Sequence, residues 1–106
     1  MITVKYAREA FTMTVKGHAR SGKPGEDLVC SAASILVHTA ADVVSSMQSD
    51  NLCTDAIIQL EKGDAFMVCK PAEGYADCLM TALDTVATGF RILAHHYPEY
   101  VTFEIQ

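Results

Sequence analysis

The chain has 106 residues, half of them apolar, with thirteen acidic against eight basic side chains and a net charge of −5. That length can enclose one hydrophobic core without disulfide or metal staples, and the charge argues against a duplex-binding surface, which is built chiefly from Lys and Arg. The opening MITVKYAREAF lacks the basic start and apolar middle of a secretion signal, and no apolar run reads as long enough to span a bilayer, so a cytoplasmic protein with no membrane partner is expected.

Ile2, Val4 and Tyr6 alternate with Thr3, Lys5 and Ala7, the pattern of a half-buried strand. Residues 7–10 read as a turn. Phe11, Met13 and Val15 then alternate with Thr12, Thr14 and Lys16, which predicts a second strand pairing with the first as a hairpin. Gly17 ends that strand and His18 follows it. Residues 19–26 hold Gly22, Pro24 and Gly25 and form a loop. Gly22 and Gly25 permit many backbone states, so this loop is a candidate substrate gate as well as an ordinary strand-to-helix connection.

Asp27 is a good N-cap, and from Leu28 to about Ser49 there is neither Gly nor Pro. Val29, Ala32, Ala33, Leu36, Ala40, Val43, Val44 and Met47 recur at helical spacing, with Leu28, Ile35 and Val37 on other faces. A helix apolar nearly all round is buried or also meets a second subunit. Its apolar residues exceed what one sheet face covers, which predicts a homodimer. Ser49, Asp50 and Asn51 mark a break. A third strand runs through Ala56, Ile58 and Leu60, and Glu61–Asp64 is a hairpin turn in which Gly63 supplies the positive φ. Residues 65–70 form the fourth strand.

Residues 75–97 make the second helix, with a stripe of Leu79, Ala82, Leu83, Val86, Phe90, Leu93, Ala94 and Tyr97 that Pro98 stops. Gly89 inside it costs up to about 1 kcal/mol against Ala, which marks a close approach. His95 and His96 suit the negative end of the helix dipole. Being adjacent, they are expected to point apart, so no metal site is assigned to them, and no cofactor is implied. Val101, Phe103 and Ile105 alternate as a fifth strand. The order ββαββαβ predicts a single α+β domain over residues 1–106. It is a two-layer sandwich, with two long helices on one face of a mostly antiparallel sheet.

The cysteines fall at 30, 53, 69 and 78. None pairs as CxxC, so neither a zinc site nor a thioredoxin motif is suggested. Without a secretion signal they are expected to be free thiols, and Cys53, Cys69 and Cys78 are expected to be small buried hydrophobes. Cys30 differs. It falls in the first turn of a helix, where unpaired N–H groups and the dipole favour a thiolate, and a short loop links it to His18. A thiol and an imidazole so placed are the minimum parts of a nucleophile and its base. Ser34, one turn after Cys30 on the same helix face, and Asp27 are supporting candidates; Asp27 either orients His18 or only caps the helix. His38, inside the helix, reads as an ordinary surface or rim residue. The competing reading of Cys30 itself is a packed core thiol.

Gly17-His18-Ala19, five residues, Gly25, one residue, Asp27-Leu28-Val29-Cys30 and Ser31-Ala32-Ala33-Ser34 together resemble the signature of the ribosomal-processing cysteine protease family. The tail Tyr97-Pro98-Glu99-Tyr100-Val101, the length and the ββαββαβ order are similar as well. The resemblance implies a small cytoplasmic homodimeric protease that removes a short N-terminal extension from large-subunit ribosomal protein twenty-seven. Its partner would be that ribosomal protein precursor, Cys30 the nucleophile and His18 the base, with N–H groups near the helix start holding the oxyanion. The chain departs from common members at Arg20, where they often have Gly, and at Lys23-Pro24, which bears on loop mobility and substrate preference. The alternative is a non-catalytic, dimeric, ribosome-associated binding protein in which Cys30 is merely packed.

Overall fold

The computed structural model describes residues 1–19 and 27–106. Strand β1 (Ile2–Ala7) buries Ile2, Val4 and Tyr6 and leaves Lys5 exposed, as the alternation predicts. A single 3-10 turn, Arg8–Ala10, reverses the chain. Phe11 does not open the second strand as its periodicity suggests. It caps that turn in the left-handed region at φ 48, with its N–H donated to the Arg8 carbonyl at 3.2 Å, and β2 (Thr12–Gly17) starts one residue later. The two strands pair antiparallel, Val4 opposite Val15 and Tyr6 opposite Met13.

Helix α1 (Leu28–Ser49) has the expected bounds. Its length and mean hydropathy of 1.6 would suit a membrane-crossing helix, which corrects the expectation that no run is long and apolar enough. Here it lies on the sheet, with Val29, Ala33, Val37, Ala40, Ala41, Val44 and Met47 in the core. Val37 thus belongs to the buried face, whereas Leu28 and Ile35 are 76% and 67% exposed.

Strands β3 (Cys53–Glu61) and β4 (Asp64–Pro71) form the second hairpin, and Gly63 turns it at φ 74. β3 begins before Ala56 because its register shifts between Thr54 and Ile57, with Asp55 at φ 53. A bulge of this kind breaks the two-residue alternation that a sequence pattern depends on. Helix α2 (Ala76–His96) leads to β5 (Val101–Ile105). The sheet order is β3-β4-β2-β1-β5, antiparallel except that β5 runs parallel to β1. The result is the expected α+β sandwich, with the core between the helices and one sheet face.

Gly89 marks the approach of the two helices: a Cβ there would lie 2.5 Å from Leu36 Cδ2. The His95 and His96 rings do not point apart. Both side chains are exposed on the last turn of α2, free to lean together, and they meet edge to face with centroids 5.7 Å apart.

Tyr6, Arg8 and Asp84 tie the first hairpin to α2. The Tyr6 hydroxyl donates to Asp84 Oδ1 at 2.7 Å, and Arg8 Nε and Nη2 grip the same carboxylate at 3.0 and 2.9 Å. Hydrogen bonding from Arg8 holds the Asp84 carboxyl below its ordinary value near 3.8. A group depressed on folding adds stability above its unfolded pKa and loses it as pH falls through the folded one. Asp84→Asn is therefore expected to flatten the acid limb of a melting-temperature profile below about pH 4. An unchanged slope there would show that the carboxylate does not link folding to pH.

Candidate active site

Three pieces of chain meet at one end of the sandwich: the end of β2, the start of α1 and the β3–β4 turn. Between them lies a cleft of about 810 Å³. Gly17 and His18 line it from β2, while Asp27, Cys30, Ala33, Ser34, Val37 and His38 line it from α1. Leu60 to Ala65 close the opposite side. The register explains this gathering, because β2 and β4 pair with Lys16 opposite Asp64, which brings the turn alongside the residue that follows β2.

Cys30 is half-buried, on the first turn of α1. The Ala19 N–H points at its sulfur across 3.3 Å. Since Ala19 directly follows His18, this bond ties the imidazole-bearing end of β2 to the nucleophile candidate. Sequence reasoning missed this donor, because a backbone N–H carries no residue signature. The Gly17 N–H donates to the Gly63 carbonyl at 2.9 Å, and the Met1 amino group donates to the His18 carbonyl.

Asp27 caps the helix: its Oδ1 accepts the Cys30 N–H at 3.0 Å and its carbonyl accepts the Ser31 N–H at 3.1 Å. Those two N–H groups are thereby engaged, so the oxyanion donors expected at the helix start are not these two as the chain stands. Ser34 and His38 follow Cys30 at successive turns on the cleft wall. His38 thus lines the cleft, and so do Glu61, Lys62 and Asp64, which the sequence marked only as a hairpin turn. Gly22 and Gly25 of the expected gate loop lie outside the described residues.

The other thiols are set apart by their surroundings. Cys53 and Cys69 are buried, and burial pushes the Cys53 thiol up and that of Cys69 to about 12. Cys78 is exposed rather than buried, because it lies one residue before Leu79, the first side chain of the buried stripe of α2.

A thiol on a helix's first turn, joined through a backbone N–H to the strand end that carries a histidine, is the framework of a thiol hydrolase. The family model for cysteine protease Prp matches residues 1–102, and the chain belongs to that family. The ribosomal processing cysteine protease Prp of Mycoplasma pneumoniae is 28% identical over 98 residues, which cover 89% of this chain and 86% of that one. The fold is shared with the ribosomal processing protease Prp of S. aureus over the full length of both chains. In complex with a covalently linked product peptide its TM-score is 0.79 at 18% identity, and with a substrate peptide 0.73 at 19%. A Streptococcus mutans protein shares the fold with a TM-score of 0.65 at 23% identity, covering 99% of this chain and 91% of that one.

Proposed function

We propose that this chain is a cysteine endopeptidase that removes a short N-terminal extension from the precursor of large-subunit ribosomal protein twenty-seven. Cys30 is the nucleophile and His18 the base. The observation that carries the reading is the Ala19 N–H directed at Cys30 Sγ within a cleft of about 810 Å³ that His18 also lines. The family, and the ribosomal processing in the name of its Mycoplasma pneumoniae relative, support the substrate class.

In this mechanism the Cys30 thiolate adds to the scissile carbonyl carbon, and the protonated His18 imidazole gives its proton to the leaving amine as the C–N bond breaks. The product is a thioester on Cys30. Water then attacks it, His18 takes the water's proton, and the acid product leaves as the sulfur is freed. Ser34, exposed on the cleft wall, is available to the peptide, and Asp27 acts by fixing the first turn of α1. No cofactor takes part. Cys30 borders open space in the cleft, which favours this reading over a binding module with a packed thiol.

The enzyme works in the cytoplasm as a homodimer. Leu28 and Ile35, exposed on α1, favour a second copy, since uncovered apolar surface of this kind invites association. Sedimentation at micromolar concentration is expected to give the dimer mass, and a monomer would remove that part. The activity is tested by incubating the protein with a peptide spanning the extension junction. Mass spectrometry is expected to find a single cut. Alkylation near neutral pH is expected to label Cys30 fastest, Cys78 as an ordinary exposed thiol, and Cys53 and Cys69 only on unfolding. If His18 assists Cys30, His18→Ala slows only the first of these. No cut, with Cys30 no faster than Cys78, would defeat the proposal.

A further inference from the structure

We propose that Gly63, at the tip of the β3–β4 hairpin, is a positioning residue for His18: the absence of a side chain there lets the turn backbone lie against the imidazole and hold the ring on the cleft wall. The inference rests on the reading of His18 as the catalytic base. A Cβ at position 63 would overlap His18 Nε2 and come within 2.7 Å of Cε1 and 3.3 Å of Cδ2. The turn thus abuts the edge of the ring that carries Nε2.

Two further observations decide which partner would give way. The Gly63 carbonyl accepts the Gly17 N–H at 2.9 Å, so the turn is pinned to the residue before His18 and does not swing back freely. The imidazole, on a rotatable side chain, is the softer partner. Any side chain at position 63 is therefore relieved by turning the His18 ring out of its place. The turn needs a glycine for its backbone as well, at φ 74, and that demand has a matched control. Gly74 has φ 86, and a Cβ there would meet nothing within 4 Å. Substitution at Gly74 brings the same backbone strain without the contact.

The test compares Gly63→Ala and Gly74→Ala in the full chain by melting temperature, by kcat and KM on the junction peptide, and by the NMR signals of the His18 ring. Both are expected to lose similar stability from a side chain at positive φ. Only Gly63→Ala is expected to shift the His18 ring signals and lower kcat, on the order of tenfold to a hundredfold, with KM changed by less than about twofold. In a His18→Ala background the same substitution is expected to have no further effect on turnover, the non-additivity of residues that act through one another. Gly63→Asn tolerates the backbone conformation better and keeps the test available if Gly63→Ala does not fold. Unmoved ring signals together with kcat equal to that of Gly74→Ala would overturn the inference. Full cleavage by His18→Ala would instead overturn the catalytic reading, while the ring signals would still report whether Gly63 holds the imidazole.

Discussion

Replacing Cys30 by serine is expected to lower kcat/KM on the junction peptide by on the order of 10³-fold or more, with the melting temperature nearly unchanged. The two side chains are close in size, and Cys30 is only half-buried, so little packing is lost. The Asp27 side chain caps the Cys30 backbone N–H rather than the sulfur, and a serine oxygen can accept the Ala19 N–H in the sulfur's place. What is lost is a nucleophile that forms an anion far more readily than a hydroxyl does. Peptide binding is expected to survive, because the cleft runs along α1 past Ser34 to His38. Cys78→Ser serves as the control and is expected to leave turnover intact. Wild-type turnover by Cys30→Ala would mean that another group attacks the substrate.

The largest expected effect on stability is at Phe90. Its ring is fully buried on the inner face of α2. Removing it as Phe90→Ala is expected to cost about 3–5 kcal/mol in lost transfer energy and cavity, against a total stability of about 5–15 kcal/mol for a domain of this kind. That corresponds to a fall in melting temperature of at least about 12 °C. A loss below about 1 kcal/mol in denaturant titration would mean that the core between the helices collapses around the gap rather than depending on the ring.

The helices were legible because each carries a long stripe at a period that only a helix satisfies: Leu79, Leu83, Val86, Phe90 and Leu93 are buried as their spacing requires. Strands β1 and β2 were legible from two-residue alternation, and the Gly63 turn from the conformation that glycine supplies. The misses share a cause. Phe11 and Asp55 adopt left-handed backbone without being glycine, and local patterns do not register that. The parallel pairing of β5 with β1, and the arrival of Glu61, Lys62 and Asp64 beside His18, depend on contacts between distant stretches. His18 and Cys30 were singled out as a pair because the motif fixes their separation along the chain. The contact of Gly63 with the His18 ring crosses from one hairpin to the strand end of the other, where no spacing rule applies.

The cleft wall has an uneven origin: every described residue that lines it falls between Ile2 and Ala65. Helix α2 and β5 contribute none, yet α2 fills the core with Leu79, Leu83 and Phe90, and β5 flanks the inner strand β1. Inherited substitutions in the last third of the chain should therefore act on how much enzyme a cell keeps. Weakened support enlarges the unfolded fraction that quality control removes, while each surviving molecule turns over at its normal rate. Substitutions in the earlier part strike both quantities. A survey of variants scored separately for abundance and for turnover per molecule should divide near the start of α2.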